Sequence, residues 1–418
     1  METGRSPMST DFEKIKLFEK ALDKEFENLG ILSYDRFESI EAVGVIHEIA
    51  LHSYLLRWGD AIDVLIPKLL LASTGTKRGL PAETAISSLE FCQNYYFLRD
   101  YFYFSYNVPK TMEWRFLGNE ITIKLLDKTF QLQKFLEMNQ WFTSSKRAFS
   151  GFKEVENQTK KYVEQTSQEF VESETLDLAL KGCIKEAELK LAAYPNFLTD
   201  EFVFDTYSLG QFKAVYRLLL ARALLKRYFV QKYVKNKVEG HGWILAPKKN
   251  DLVGALVEDS GLSNSVVEAV LDDLTLDLQK AKRGQSITSF PLVYNPDEKY
   301  YLLFPNSICL CECFDSLRKA WAMRKPTLYG KKVANLIGEE MAKRVENVFR
   351  NNGFRYVKRG ISLRQFGERL PDIDVLSVWK EPGFGYVVFL CETKNTIPEK
   401  FGKDFVRSIS SVSYTHLT

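Results

Sequence analysis

Apolar residues recur at three- and four-residue steps through most of the first three quarters of the chain, the spacing of amphipathic α-helices. The first such stretch stops at Gly30, a residue type that commonly ends helices. A later stretch, 81–107, holds nine aromatic residues between positions 91 and 106 but a single cation, Arg99. Base stacking on nucleic acid also needs cations for the phosphates, so this stretch favours a buried helix. We therefore expect a mainly helical region over residues 1–249.

Residues 211–249 are strongly basic, with ten Lys and Arg against one acid. At 100° per residue on a helix, four of these cations share one stripe about 80° wide. Such a stripe suits contact with a phosphate backbone, which makes the four residues candidates for nucleic-acid binding. The alternative is the solvated side of a helix whose other face packs in the core. The four candidates are Lys213, Arg217, Arg227 and Lys235.

Residues 250–325 combine two short helices with a hairpin. The helices are predicted on either side of Ser260-Gly261-Leu262, with Ser263 as the N-cap of the second. Apolar and polar residues alternate over 290–304, with a turn in the middle, and this pattern predicts the hairpin. Two helices followed by a hairpin resemble a winged helix. Residues 251–279 hold seven acids and no Lys or Arg, so the second helix would repel phosphates. We expect a structural or protein-contact module here rather than a DNA reader.

Two other patterns are weak candidates for metal sites. His47 and His52 are five residues apart, about 140° around a helix, so they do not readily share one metal ion. Three cysteines cluster in sequence, but no second group of Cys or His lies nearby, and we expect packed, inert thiols. These cysteines are Cys309, Cys311 and Cys313.

Near residue 326 the pattern changes to alternating helix and strand. Apolar positions over 333–349 predict a helix that ends at Asn351-Asn352-Gly353, with a strand after it. Two further strands, 371–379 and 386–394, flank a turn at Pro382-Gly383 and predict a β-hairpin.

A hairpin centred on this turn pairs residues whose numbers sum to about 766, so Asp374 faces Glu392. Side-chain alternation puts Lys394 on the same face as Glu392. Two close carboxylates repel unless a cation lies between them, and hard oxygen ligands favour Mg²⁺ or Mn²⁺. The apolar run Tyr386–Cys391 is expected to be a buried central strand, where an unpartnered charge at its end would be costly.

Asp374 and the run Glu392-Thr393-Lys394 resemble the signature of the PD-(D/E)xK, or restriction-endonuclease-like, nucleases. The Gly353-Phe354 exit of the preceding helix is similar to the Mrr-like and Holliday-junction-resolvase-like branches. The resemblance implies that Asp374 and Glu392 hold the metal and that the carbonyl of Thr393 adds a ligand. It also implies that Lys394 positions or deprotonates the attacking water. The implied reaction is hydrolysis of a phosphodiester bond, with DNA favoured over RNA, in a bacterial protein of restriction or phage defence.

The preceding helix departs from the family pattern, because some branches carry another metal-binding Glu there and the corresponding position is Ala342. Asp372 shares the strand face of Asp374 and is the alternative ligand. The apolar pair Val375-Leu376 directly after Asp374 favours Asp374. Three acids near Ala342 are additional candidates: Glu339, Glu340 and Glu346.

The expected fold class is a mainly α N-terminal region, a winged-helix-like segment and a truncated α/β restriction-endonuclease-like domain. The resemblance covers about residues 328–411, within a nuclease-like domain placed at 326–411. The chain ends 24 residues beyond Lys394, where this fold continues with a helix and a strand, so we expect truncation at the C-terminus. Residues 412–418 resemble translated adapter sequence and are expected to be a non-native tail.

Length and composition indicate a globular protein of several domains. The 418 residues suit two or three domains, and 45% apolar with 27% charged residues is typical of a globular protein. This composition excludes a largely disordered protein and a protein with a strongly basic nucleic-acid-binding tail. No apolar run is long enough to span a membrane, the start lacks a signal peptide, and the six cysteines follow no disulfide framework, so we expect a cytoplasmic protein without membrane contact.

The predicted function is therefore that of a metal-dependent endonuclease acting on nucleic acid with Mg²⁺ or Mn²⁺. A protein partner that binds the helical or winged-helix region is also expected. The alternative is a catalytically inactive nuclease-fold protein, or a helical scaffold, that binds nucleic acid or another protein.

Overall fold

The computed structural model describes most of the chain, and the structural statements below concern that part alone. The described residues are 7–52, 59–72, 75–107, 112–118, 120–126, 153–165, 173–193, 197–233, 240–276, 278, 285–311, 313–363, 372–381, 383 and 385–393.

The protein is mostly helical, as expected. Its helices are α1 Pro7–Glu27, α2 Arg36–His52, α3 Gly59–Leu71, α4 Ala82–Asn107, α5 Lys153–Gln165, α6 Ser173–Ala193, α7 Leu209–Tyr233, α8 Lys249–Ser260, α9 Asn264–Leu274, α10 Pro305–Leu310, α11 Cys313–Arg324 and α12 Asn335–Asn351. Short helical turns also occur at Gly30–Ser33, Gly240–Trp243, Pro326–Leu328 and Tyr329–Ala334. In the described part of the chain, no helix is both long enough and apolar enough to cross a membrane.

The described residues also form three small sheets. Their strands are β1 Met112–Leu117, β2 Glu120–Leu125, β3 Thr275–Leu276, β4 Leu292–Asn295, β5 Tyr300–Leu303, β6 Tyr356–Ile361, β7 Ile373–Glu381 and β8 Gly385–Cys391. The sheets have the orders β1-β2, β3-β4-β5 and β6-β7-β8. We call α1–α11 with β1–β5 the helical body, and α12 with β6–β8 the C-terminal unit.

The aromatic stretch of α4 packs against α1 and the β1–β2 hairpin. Phe102 is buried and stacks on Trp114 of β1, with ring centroids 5.3 Å apart. Tyr95 stacks on Phe26 of α1 at 4.3 Å. Phe97 points outward and is 46% exposed. The aromatic density therefore contributes mainly to a core, although not every ring is buried.

Helix α7 is the centre of the larger hydrophobic core. Nearly all of its described residues are at least partly buried, as is typical of a helix surrounded by other elements. The core around it takes residues from α5, α6, α8, α9, α10 and α11, and Ile337 from α12. Its buried side chains on α7 include Phe212, Val215, Tyr216, Leu219, Leu224 and Val230.

The β4–β5 hairpin lies between two cores. Leu292 and Leu303 belong to the core around α7, whereas Val293 and Leu302 belong to a second core built from α2, α3 and α4. This division follows from the alternation of side chains along a strand. The segment 250–325 therefore shares both of its cores with the preceding helices.

The two short helices and the hairpin of this segment lie where the sequence predicts them. Helix α8 ends at Ser260, and Gly261 caps it in the left-handed region at φ 68°. Ser263 occupies the N-cap position of α9. Leu245 bridges antiparallel to Leu303 of β5, so the segment between α7 and α8 also runs beside the sheet.

The C-terminal unit packs one helix on one face of an antiparallel sheet. Ala342 of α12 is buried against Val357 of β6 and Val375 of β7. Phe349 of α12 and Phe354 extend this contact, with ring centroids 4.7 Å apart. Because alternate residues of β7 point to opposite faces, the helix covers the face that bears Val375 and leaves the other face uncovered by α12.

Candidate metal and nucleic-acid site

The β7–β8 hairpin brings Asp374 and Glu392 to facing positions. Val375 pairs with Cys391, so the next facing pair beyond it is Asp374 and Glu392. The predicted register is therefore confirmed. Asp374 is partly buried, and Glu392 is exposed directly after β8.

The turn between the two strands sets this register. Gly383 and Gly385 have φ of 86° and 98°, in the left-handed region where a Cβ is unfavourable. Glycines at these positions allow the chain to reverse between Glu381 and Gly385, which are themselves paired. The position of the carboxylates thus depends on turn residues at the far end of the hairpin.

Thr393 fixes the orientation of Asp374. Oδ2 of Asp374 accepts a hydrogen bond from the backbone N of Thr393 at 2.6 Å and another from its Oγ1 at 3.0 Å. Both donors come from the residue between Glu392 and Lys394. Lys394 itself lies outside the described residues. The structure therefore links Asp374 to the end of β8 through one carboxylate oxygen.

Asp372 occupies a different environment from Asp374. It is exposed, and its Oδ1 accepts a hydrogen bond from Oγ of Ser362 at 2.9 Å, just beyond the end of β6. Asp372 thus accepts a hydrogen bond from the residue after β6, whereas Asp374 accepts its hydrogen bonds from the end of β8. Because their partners differ, separate substitutions of the two acids test which one holds the metal.

Two of the three candidate acids of α12, Glu340 and Glu346, form ion pairs with neighbouring cations. Glu346 forms ion pairs with Arg350 at 2.7 Å and with Arg359 at 3.6 Å. Glu340 lies 3.6 Å from Lys343. The backbone carbonyl of Glu339 accepts a hydrogen bond from Arg359. Since α12 packs on the face bearing Val375, Glu339, Glu340 and Glu346 come from the side of the sheet opposite to Asp374.

The expectation that Tyr386–Cys391 forms a buried central strand is wrong for the described residues. There β8 pairs with β7 alone and is an edge strand. Tyr386, Val388 and Leu390 are 65%, 56% and 56% exposed, and Val387 and Phe389 about 40%. The physical reason is that α12 covers a single face of the sheet and the described residues supply no second neighbour for β8.

Acids of neighbouring segments engage two of the four candidate cations. Lys213 pairs with Asp200, and Arg217 lies 2.5 Å from Glu188 of α6. Arg227 is partly buried in the helical body, and Lys235 lies outside the described residues. Binding of a phosphate backbone by this stripe remains a prediction. It would require Lys213 and Arg217 to break their ion pairs with Asp200 and Glu188 and to pair with phosphates instead.

The two histidines lie in different surroundings. His47 is buried, and His52 packs edge-on against Trp243 with ring centroids 5.1 Å apart. The described residues contain no group of three or more His, Cys, Asp or Glu that could hold a metal ion. Cys309 and Cys313 are buried, and burial raises the pKa of the Cys309 thiol.

Sequence reasoning missed the role of Glu48, which lies between these histidines. Its carboxylate is fully buried and accepts hydrogen bonds from the backbone N of Asn306, 2.6 Å, and of Ser307, 2.9 Å. It also accepts one from Oγ of Ser307 at 2.8 Å. Burial raises the pKa of Glu48 to about 7, and these donors partly oppose that rise. Glu48 thus joins α2 to the start of α10, across 258 residues of sequence.

Comparisons with models of protein families, with curated proteins and with solved structures find no match to this chain. The assignment of the site therefore rests on its residues and their geometry.

Proposed function

We propose that this protein is a metal-dependent nuclease that hydrolyses phosphodiester bonds of nucleic acid, with DNA the favoured substrate. The observation that carries the proposal is the hairpin register, which places Asp374 opposite Glu392 at one end of a small sheet. The hydrogen bonds from Thr393 to Asp374 support it, because a positioned carboxylate is what a metal site requires.

The donor chemistry of this corner fits Mg²⁺ or Mn²⁺. Asp374 and Glu392 supply carboxylate oxygens, and the carbonyl of Thr393 is the further ligand that the resemblance implies. When bound, such an ion lowers the pKa of a water and stabilises charge on phosphate oxygens. In this proposal Thr393 orients Asp374 through its N–H and hydroxyl, and Lys394 positions or deprotonates the attacking water.

The order of elements supports the same proposal. A helix, α12, is followed by three antiparallel strands, with the two carboxylates on the second and directly after the third. This is the order on which the resemblance to PD-(D/E)xK nucleases depends. We place the protein in the bacterial cytoplasm, in restriction or phage defence, by analogy with that family.

The segment before the C-terminal unit supports a winged-helix-like module. The chain runs through α7, the bridge at Leu245, α8, α9, β4 and β5, with the bridge and β4 on opposite sides of β5. Helix α9 carries Glu268, Asp272 and Asp273, of which Glu268 pairs with Lys249 at 3.0 Å. An acidic helix of this kind suits contact with a protein better than contact with DNA.

A cleavage assay tests the function. Plasmid DNA, single-stranded DNA and RNA would be incubated with the full chain, extended by its downstream coding sequence where one exists, and with Mg²⁺ or Mn²⁺. We expect Asp374→Asn, Glu392→Gln and Lys394→Ala each to lower turnover at least a hundredfold with little change in stability. Asp372→Asn is the matched control, since it makes the same change two residues away, and it should retain activity.

Two results would change the assignment. Loss of cleavage in Asp372→Asn with retention in Asp374→Asn would make Asp372 the ligand. Binding of nucleic acid without cleavage, unaffected by Asp374→Asn, would favour the inactive nuclease-fold alternative. The burial of Ala342, where some branches of the family carry a Glu, is the observation that keeps this alternative in view.

A further inference from the structure

An apolar groove with a volume of about 430 Å³ lies between α7, the segment 245–247 and the first half of α8. Small-molecule sites in proteins have volumes of about 300–1,000 Å³. The groove shares no residue with the hairpin that bears Asp374 and Glu392. Its apolar walls include Leu225, Phe229, Leu245, Pro247, Leu252 and Ala255.

The sheet holds one wall of the groove in place. Leu245 and Leu303 exchange two backbone hydrogen bonds, with N–O distances of 3.1 and 2.8 Å. The backbone N of Tyr301 donates to the carbonyl of Pro247 at 3.0 Å. These bonds attach the segment 245–247 to β5, so the wall is part of the fold rather than a loose loop.

Lys226 is the unusual residue of the lining. It is half-buried on α7, and burial lowers the pKa of its ammonium. Asp251 lines the same groove, but among the described residues Lys226 forms no ion pair with this or any other carboxylate. Two other cations of α7, in contrast, form ion pairs with carboxylates. Arg222, one turn earlier in the same groove, pairs with Asp259 at 2.6 Å, and Arg217 pairs with Glu188. A half-buried ammonium beside apolar walls is an incomplete site, because a buried charge is costly without a counterion.

We propose that this groove binds an amphipathic monocarboxylate, with its carboxylate on Lys226 and its hydrocarbon body along Phe229, Leu245 and Leu252. Charge complementarity selects the anion, and the apolar walls select a hydrocarbon over a sugar or a nucleotide. Asp251, an exposed residue of the lining, would disfavour a second negative charge on the ligand. This inference is independent of the proposed nuclease activity.

Calorimetric titration of the full chain with dodecanoate, below its micelle concentration, tests the proposal. We expect saturable binding at one site, and no comparable binding of dodecyltrimethylammonium, which has the same chain with the opposite charge. Lys226→Met should weaken dodecanoate binding at least tenfold, and Lys226→Arg should restore it. Ala255→Trp should fill the groove and abolish binding.

Lys181→Met, an identical change on the exposed side of α6, is the matched control and should leave the affinity unchanged. Thermal unfolding identifies any variant that fails to fold. If Ala255→Trp fails to fold, the comparison of Lys226→Met with Lys226→Arg still tests whether the ligand carboxylate binds Lys226. Absence of saturable binding, equal binding of the cationic detergent, or equal affinities of Lys226→Met and Lys181→Met would each overturn the proposal.

Discussion

The helical body and the C-terminal unit differ in how completely they bury their apolar residues. In the body, two large cores bury most of α7 and many apolar side chains of α2–α4. In the C-terminal unit Ala342, Val357 and Val375 form a small buried cluster and Ile337 is buried in the core around α7, whereas β8 exposes five consecutive large side chains. The carboxylates proposed to be catalytic lie on this less covered sheet. Stability and proposed chemistry are therefore assigned to different parts of the molecule.

The two edges of the C-terminal sheet differ in a related way. The β6 edge carries Lys358 and Arg359, charges of the kind that protect an edge strand from pairing with another chain. The β8 edge has no charge from Gly385 to Cys391. Among the described residues, β8 is therefore the strand best suited to accept a further strand.

The largest expected effect comes from a matched pair of Phe→Ala changes. Phe212 is fully buried in the core around α7, and its truncation should lower the free energy of unfolding by about 3–5 kcal/mol. Phe389 of β8 is 40% exposed, so its truncation should cost about 1 kcal/mol. Urea unfolding followed by fluorescence measures both, and equal costs would contradict the contrast between the two regions.

The buried carboxylate of Glu48 should make the helical body sensitive to pH. Its pKa is raised from 4.5 to about 7, so between these values the folded chain binds more protons than the unfolded chain. Stability should therefore fall as pH rises through this window, by on the order of 3 kcal/mol. Glu48→Gln keeps an acceptor oxygen but cannot titrate. If wild type and Glu48→Gln show parallel stability profiles between pH 4 and 8, this account of Glu48 is wrong.

Adding a charge to the β8 edge should change solubility more than stability. Val388 is 56% exposed, so Val388→Lys should alter the free energy of unfolding by less than about 0.5 kcal/mol. It should also reduce self-association, measured by light scattering at rising protein concentration. Val375→Lys places the same charge on the buried face of β7 and should unfold the unit. A large destabilisation by Val388→Lys would mean that β8 is covered.

The smallest expected effect is the loss of an ion pair on α7. Lys213 and its partner Asp200 are both partly solvated, and such pairs contribute about 0–1 kcal/mol. Lys213→Met should therefore shift the midpoint of thermal unfolding only slightly, and the shift should vanish at high salt. A shift comparable with that of Phe212→Ala would refute this estimate.

Local sequence signals predicted the parts of the fold that depend on near neighbours. The glycine turn fixed the pairing of Asp374 with Glu392, and the Gly261 cap separated α8 from α9. Helix α1 was less well predicted, because it ends at Glu27 and Gly30 begins a short helical turn instead of capping α1.

Contacts between distant segments were not predictable in the same way. The hydrogen bonds from Asn306 and Ser307 to Glu48 join residues with no common pattern in sequence. The apolar sequence of β8 predicted a buried strand, but its side chains are exposed. Burial depends on which elements pack against a strand and not on the strand alone.

Metal binding by Asp374 and Glu392 can be measured without knowledge of the substrate. Mn²⁺ binding to the full chain can be followed by electron paramagnetic resonance in the wild type, Asp374→Asn, Glu392→Gln and Asp372→Asn. If Asp374 and Glu392 hold the metal, Mn²⁺ binding will be saturable, both Asp374→Asn and Glu392→Gln will remove it, and Asp372→Asn will retain it. Binding that is absent from the folded wild type, or unchanged in Asp374→Asn and Glu392→Gln, would contradict this assignment.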